Sequence, residues 1–133
     1  MCSSDLAVLL TCSGNYQTWS GLSFTGNRSG SILLTGASAS VKGYPQSTAF
    51  AMGKFALRGM AQSMAREFAP QGLHVAHFVI DGGIRSATRP VPNENPDSLL
   101  DPDAIAETYW HVATQPKSAW TWEVELRPWV ERF

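Results

Sequence analysis

Two nearly continuous apolar runs enclose a long segment with helical periodicity. The runs lie at residues 31–35 and 74–80, and each predicts a strand buried on both faces because apolar and polar positions do not alternate. Between them, apolar residues recur every four positions and predict an amphipathic helix from about Ser47 to Phe68. A strand, a helix and a second buried strand in this order predict two parallel strands joined by a right-handed crossover.

The limits of this helix are supported by local signals. Ser47 or Thr48 is expected to cap its start. Pro70 and Gly72 follow Phe68 closely, and a proline and a permissive glycine just past the end are typical of a helix stop.

The chain after residue 84 predicts an irregular segment, a second helix and a last strand. Residues 85–102 are rich in proline, asparagine and aspartate, which predicts an irregular loop long enough to serve as a lid. A helix is expected from Asp101 to about Thr114, since a proline lies in its first turn beside acidic residues. Residues 119–126 alternate apolar with polar side chains, the pattern of a half-buried strand.

Residues 1–29 differ from the rest because serine, glycine, threonine and asparagine dominate them. Only Leu6 to Thr11 is apolar enough for a short strand, so we expect residues 1–29 to be a poorly ordered lead-in. The opening MCSSDL looks like translated linker DNA and indicates a partly non-native start. Residues 30–133 are expected to form the folded domain.

Composition and charge are those of an ordinary globular domain. The 133 residues are 44% hydrophobic and 16% charged, with a formal net charge of -1. This balance provides no field that would collect nucleic acid or anionic lipid. No apolar run approaches the roughly 20 residues of a membrane helix, and no signal-peptide pattern is visible. We therefore expect a cytoplasmic protein with neither a nucleic-acid nor a membrane partner.

The segment from Gly30 to Ile84 combines several motifs of one family. It reads GSILLTGASASVKGYPQSTAFAMGKFALRGMAQSMAREFAPQGLHVAHFVIDGGI, and it resembles short-chain dehydrogenases/reductases from the active-site serine strand through the Tyr-x-x-x-Lys helix. Residues 101–133 are similar to the tail of a bacterial subgroup. The resemblance implies an α/β fold with a partial Rossmann-like, doubly wound parallel sheet. The family's first strand, TGxxxGxG turn and Asn-Ala-Gly segment have no counterpart, so we expect the N-terminal nucleotide-binding βαβ half to be lacking.

The resemblance also implies catalytic positions. In the family, a tyrosine exchanges a proton with the substrate oxygen, a lysine four residues later holds the nicotinamide ribose, and a serine orients the carbonyl. Lys54 stands at the lysine position and Phe50 at the tyrosine position, where no hydroxyl is available. Their spacing puts both side chains on one helix face. Ser38 is the best match to the serine, although strict spacing puts Ala37 there and leaves Ser40 as a second substitute.

Further residues are expected beside the nicotinamide of a bound NAD or NADP. Asp81 and Gly82 stand roughly where the family has a Pro-Gly turn, and Ser86 follows as a hydroxyl that would contact the carboxamide. The turn that begins at Gly36 superficially resembles a glycine fingerprint. A glycine and a proline interrupt the region where its phosphate-binding helix would have to start, so we reject that interpretation.

Several of these residues have structural alternatives. Lys54 could cross apolar surface and keep its charge in water, and Phe50 could be core packing in a subgroup that uses another proton donor. Tyr44 could supply a phenol from its loop, although loop tyrosines more often pack their rings. His74 and His77 should lie on opposite faces of a strand, so a shared metal is not expected.

Three tryptophans and a methionine stripe also have two interpretations each. The tryptophans could line a substrate pocket, but alternating aromatic residues more often bury against helices or another subunit. These residues are Trp120, Trp122 and Trp129. The methionines of the long helix are packing surface first, and because family members commonly dimerise here, part of the helix is expected to face a second subunit. They are Met52, Met60 and Met64.

Together these observations predict an NAD(P)-dependent oxidoreductase of the short-chain type. It would transfer hydride between nicotinamide and a small carbonyl or alcohol, and the chain is expected to be inactive as it stands. The alternative is a non-catalytic dehydrogenase-like module for binding or dimerisation, which Phe50 favours. No metal site is expected.

Overall fold

The fold consists of six strands and two α-helices within residues 8–10 and 30–131, the part of the chain that the computed structural model describes. In chain order the elements are β1 (Val8–Leu10), β2 (Gly30–Thr35), α1 (Thr48–Phe68), β3 (Leu73–Ile80), β4 (Gly83–Ile84), β5 (Leu99–Leu100), α2 (Pro102–Ala113) and β6 (Glu123–Leu126).

The main sheet contains β1, β2, β3 and β6 in that order, and all neighbouring strands are parallel. The predicted parallel pair is therefore confirmed, with Gly30 opposite Leu73 at the start of β2 and Thr35 opposite Phe78 at its end. β1 falls inside the segment Leu6 to Thr11 where a strand was predicted. The rest of the predicted lead-in, residues 1–29, lies outside the described residues.

The two helices cover opposite faces of this sheet. On the α1 face the buried cluster comprises Ile32, Leu34, Leu57, Ala61 and Val75, with Met60, Met64 and Phe68 packed against it. On the α2 face the buried cluster comprises Leu33, Ala76, Phe78, Ile80 and Val112. Alternate residues of β2 thus point to different helices, and all eight residues of β3 are buried. This arrangement confirms the predicted doubly wound α/β architecture.

The predicted limits of α1 hold, but its expected capping does not. Ser47 occupies the N-cap without a side-chain capping bond, because its hydroxyl donates to the carbonyl of Tyr44 over 2.9 Å. The helix ends where predicted, and Gly72 follows in the left-handed region at φ 86°. The methionine stripe packs only in part, since Met52 is 62% exposed.

The last strand is shorter than predicted, because ladder pairing begins only at its second half. β6 covers Glu123–Leu126, and a 3₁₀ turn occupies Lys117–Ala119. Between this turn and β6, Thr121 is held by the side chain of Gln115, which accepts from the backbone N–H of Thr121 over 2.8 Å and donates to its hydroxyl over 3.0 Å.

The segment 85–102 is less irregular than predicted. Its end pairs with the strand that precedes it, because β4 and β5 form a two-stranded parallel ladder. An ion pair of 2.9 Å between Arg85 and Asp101, the residues that follow β4 and β5, also joins the two ends of this segment. Neither α-helix is long and apolar enough to cross a bilayer within the residues that the structure describes.

Candidate functional site

The predicted site residues follow the carboxyl ends of β2 and β3. After Thr35, the chain continues through Gly36 into a 3₁₀ turn at Ser38–Ser40, whereas β3 continues into Asp81. The two ends are neighbours, because Gly36 donates its backbone N–H to the carbonyl of Phe78 over 2.7 Å. Ligands of open α/β sheets bind outside this edge.

Lys54 reaches this edge from α1. Its ammonium nitrogen donates a hydrogen bond to the carbonyl oxygen of Thr35, the last residue of β2, over 3.1 Å. The same nitrogen lies 5.7 Å from the centroid of the Phe50 ring, within the range of a cation–π contact. Residues 50 and 54 therefore share one helix face, as their spacing predicts. The half-buried ammonium is directed to the end of a strand instead of into open solvent.

Phe50 does not belong to the core of this chain. Its side chain is 55% exposed, beside the Lys54 ammonium on the first turn of α1. The alternative of core packing for Phe50 is therefore wrong. An apolar ring that stays this exposed contributes little to stability through burial.

The turn after β2 distinguishes the two serines that were considered. Ser40 is fully buried, and its hydroxyl oxygen accepts from the backbone N–H of Ala37 over 3.1 Å. Ser38 is half-buried, and its carbonyl accepts from the backbone N–H groups of Val41 and Lys42. Ser38 is therefore the more accessible of the two serines, whereas the Ser40 hydroxyl is engaged inside the turn.

Asp81 is paired with a lysine that the sequence did not indicate. Asp81 is 6% exposed, and the ammonium of Lys42 lies 3.4 Å from its Oδ2 atom. The next residue, Gly82, has φ 150°, and a Cβ there would lie 2.8 Å from Cδ of Pro128. Both the backbone conformation and the space therefore require glycine at position 82.

Two other predicted residues, Ser86 and Tyr44, lie in exposed segments. The hydroxyl of Ser86 accepts from the backbone N–H of Arg89 over 3.1 Å and lies 3.2 Å from the Thr88 hydroxyl, so it closes its own exposed turn. Tyr44 leaves 47% of its surface exposed in the loop before α1. The expected packing of its ring is thus incomplete.

A partly buried set of linked polar side chains near the site was not predicted. Arg58 binds the carboxylate of Glu123 through two hydrogen bonds of 2.6 and 2.8 Å, a bidentate geometry. The same carboxylate accepts from Nδ1 of His77 over 3.1 Å. The bond to Arg58 lowers the pKa of Glu123 below 4.5. Burial lowers the pKa of His77 below 6.5, although its bond to Glu123 acts in the opposite direction.

A second hydrogen bond ties the end of β2 to α2. The Tyr109 phenol and the Thr35 hydroxyl lie 2.9 Å apart, and the Tyr109 ring stacks on Phe78 with centroids 3.6 Å apart. Burial raises the pKa of Tyr109 above 10.0. Thr35 thus contacts Lys54 through its carbonyl and Tyr109 through its side chain.

Three other residues considered for the site, His74, Trp120 and Trp129, make stacking contacts or hydrogen bonds within the chain. His74 stacks on Trp120 at 4.7 Å and bonds the carbonyl of Thr121 over 2.8 Å, so the expected packing of Trp120 is confirmed. Trp129 is 81% exposed, and its indole N–H donates to Asp97 over 3.0 Å. Core packing of Trp129 is therefore wrong for this chain. Within the described residues, no three potential metal ligands are grouped.

Comparisons with known proteins agree on one family. The family model of short chain dehydrogenases matches residues 7–96. A short-chain dehydrogenase from Rhodopseudomonas palustris is 44% identical, with a TM-score of 0.62 over 77% of this chain and 40% of that one. No curated protein matches the chain.

More distant structures share the fold. An alcohol dehydrogenase from the archaeon Thermococcus sibiricus, complexed with 5-hydroxy-NADP, is 21% identical, with a TM-score of 0.62 over 77% of this chain and 43% of that one. An NADPH-bound oxidoreductase from Pseudomonas aeruginosa PAO1 with an atypical catalytic center is 16% identical, with a TM-score of 0.60 over 77% and 46%. The chain spans less than half the length of these relatives. On the match of the family model and the identity to the Rhodopseudomonas protein, the chain belongs to the short-chain dehydrogenase family.

Proposed function

We propose that this chain carries the nicotinamide side of an NAD(P)-dependent oxidoreductase that acts on a small carbonyl or alcohol. The observation that carries the proposal is the Lys54 ammonium, held 3.1 Å from the carbonyl that ends β2. A cation at this edge of a parallel sheet stands where ligands of such folds bind. We also propose that the protein acts in the cytoplasm.

The described residues fit one end of a nicotinamide cofactor. An ammonium group is a suitable donor to ribose hydroxyls, and Lys54 would hold the nicotinamide ribose. Asp81 and Gly82 would border the ring at the end of β3, and Ser86 would approach the carboxamide only after its turn opens. The start of α1 does not fit the pyrophosphate end, because this helix begins 12 residues after Gly36 and not directly behind it. The cofactor, when bound, would donate the hydride to a carbonyl or accept it from an alcohol.

The reaction also needs a group that exchanges a proton with the substrate oxygen. Phe50 cannot exchange a proton, so general acid catalysis worth roughly 10²- to 10⁴-fold is not available from that position. Ser38 would orient the substrate oxygen from the half-buried turn after β2. The Lys54 charge would still favour negative charge that develops at that oxygen.

A second candidate function is a non-catalytic module that dimerises through α1. It is favoured by three large apolar side chains that remain exposed at the start of that helix. They are Phe50 at 55%, Met52 at 62% and Phe55 at 45%. Sedimentation of the purified chain should show a dimer that Phe55→Ser dissociates, and a wild-type monomer at all concentrations would remove this candidate.

The cofactor proposal is tested by titrating NADH and NADPH against the chain and following nicotinamide fluorescence. Saturable binding is expected, and Lys54→Ala should weaken it by about 10-fold or more, the effect of one charge-assisted hydrogen bond. Lys117→Ala is the matched control, because that ammonium lies over Trp120, 5.9 Å from its ring centroid, on another element. Equal weakening by both variants, or no saturation, would exclude Lys54 as the ribose ligand.

The role of position 50 is tested in a chimera that adds the amino-terminal part of the Rhodopseudomonas palustris relative. Phe50→Tyr restores a phenol one helical turn from Lys54, and we expect carbonyl reduction to rise by roughly 10²-fold or more. Equal rates with Phe50 and Tyr would show that another group delivers the proton.

A further inference from the structure

The His77 ring is a fully buried polar group directly below the candidate site. It is 0% exposed, and its Nδ1 atom bonds the Glu123 carboxylate. Its Nε2 atom is buried and has no hydrogen-bond partner within the part of the chain that the structure describes. Burying an acceptor without a hydrogen-bond partner costs free energy, so the packing around Nε2 needs a physical explanation.

The turn after β2 rests on this ring. A Cβ atom at Gly36 would lie 2.3 Å from Nε2 of His77 and 2.6 Å from the Ser40 hydroxyl oxygen. Only glycine therefore allows the backbone to approach the imidazole this closely. The Ser40 hydroxyl also holds Ala37 through its backbone N–H. The ring and the turn thus share one tightly packed volume.

The protonation state of the ring decides what it presents to the turn. A carboxylate only accepts hydrogen bonds, so the bond to Glu123 requires a proton on Nδ1 and leaves a lone pair on Nε2 of the neutral ring. A second proton would place a cationic N–H against Gly36. Glu123 on β6 favours that cation, whereas Arg58 and Lys54 on α1 and the buried surroundings oppose it. On the β2 side the turn offers the uncharged Ser40.

We propose that His77 is a positioning residue of the candidate site: the neutral ring, oriented by Glu123 and Arg58, seats the turn Gly36–Ser40, and protonation of the ring displaces that turn. Thr35, whose carbonyl binds Lys54, immediately precedes the turn, so displacement also disturbs the ammonium. The effect on ligand binding rests on the proposed function. The coupling between ring and turn does not.

The experiment is NMR spectroscopy of the full chain labelled with ¹⁵N, over a pH series from 8 to 5. Ring nitrogen shifts report the His77 tautomer and its titration, and the backbone amides of Gly36 and Ser40 report the turn. At pH 8 the ring should show the form with the proton on Nδ1. On acidification, ring and turn should titrate together with a midpoint below 6.5.

Two variants make the test specific. Glu123→Gln removes a charge that favours the imidazolium, so the ring midpoint should move to lower pH and the turn midpoint should follow it. His111→Gln is the matched control, because this histidine lies on the exposed surface of α2 and should leave both midpoints unchanged. A ring that titrates while the turn stays constant, or a turn that ignores the shift in Glu123→Gln, would overturn the proposal.

A parallel titration with NADH at pH 8 and pH 5 separates this inference from the cofactor proposal. If the coupling holds and nicotinamide binds, the affinity should fall as the turn titrates. If NADH does not bind at either pH while ring and turn still titrate together, the proposed function fails and the positioning role stands. If NADH binds equally at both pH values although the turn moves, the turn does not position the site.

Discussion

Replacing Gly36 with alanine tests the close contact on which the site turn depends. The added Cβ would lie 2.3 Å from Nε2 and 2.7 Å from Cε1 of His77, and 2.6 Å from the Ser40 hydroxyl. All three separations are shorter than a carbon atom tolerates in a packed core. The ring cannot simply rotate away, because Glu123 holds its other nitrogen.

The expected loss of stability in Gly36→Ala follows from how tightly Gly36 is packed against His77 and Ser40. Overpacking a core typically costs about 1–3 kcal/mol, and three simultaneous overlaps with fully buried residues place Gly36→Ala at about 3 kcal/mol. For a domain of this length, that loss lowers Tm by roughly 10 °C. Gly59→Ala is the matched control, because no atom lies within 4 Å of its added Cβ. In the middle of α1 it should stabilise the chain by about 0.5–1 kcal/mol.

The assay is urea unfolding followed by circular dichroism, with the double variant Gly36→Ala, His77→Ala included. Removing the imidazole makes room for the methyl group, so the penalty of Gly36→Ala should shrink by at least about 1 kcal/mol in that background. Gly36→Ala stability within about 0.5 kcal/mol of the parent, or an unchanged penalty without the ring, would refute the reasoning.

Three further predictions concern stability. Arg58→Met should lower the free energy of unfolding by about 1–2 kcal/mol in urea, a modest value because the ion pair with Glu123 is partly exposed. The pKa of Glu123 is lowered from 4.5, so the ion pair stabilises the fold above that pH. The difference in stability between Arg58→Met and the parent should therefore vanish as the pH falls well below 4.5. Burial raises the pKa of the Tyr109 phenol from 10.0, so the stability that the neutral phenol contributes should be complete below pH 10.0 and be lost at higher pH. In Tyr109→Phe the fall of Tm at alkaline pH should therefore be smaller than in the parent, and an equal fall would contradict this reasoning. Leu34→Ala opens a fully buried position and should cost about 2–5 kcal/mol by thermal unfolding, whereas a loss below about 1 kcal/mol would mean that the α1 cluster is loosely packed.

The elements whose formation depends on local pattern could be predicted from the sequence. The two apolar strands and α1 have clear periodicity, and Pro70 with Gly72 marks the end of the helix. The placement of Lys54 at the sheet edge follows from the resemblance and the four-residue spacing. The start of β6 could not be predicted, because Thr121 bonds the side chain of Gln115 at a position where the alternating pattern predicts the strand.

The polar pairs beneath the site could not be predicted, because they join residues that are distant in sequence. Lys42 and Asp81 are 39 positions apart, and Arg58 and Glu123 are 65 apart. Glu123 looked like the solvent-facing member of an alternating strand. Strand register decides otherwise, since Glu123 lies opposite His77 in the pairing of β6 with β3. Only the fold brings these charges together.

The central claim is that the described edge binds the nicotinamide ribose and not the other end of a dinucleotide. The most direct measurement titrates the ¹⁵N-labelled chain with nicotinamide mononucleotide and, separately, with adenosine monophosphate. Nicotinamide mononucleotide should shift the Lys54 ammonium and the Gly36 and Asp81 amides in a saturable way, and adenosine monophosphate should leave them unchanged. Saturable shifts at these nuclei with adenosine monophosphate alone, or none with either nucleotide, would contradict the account.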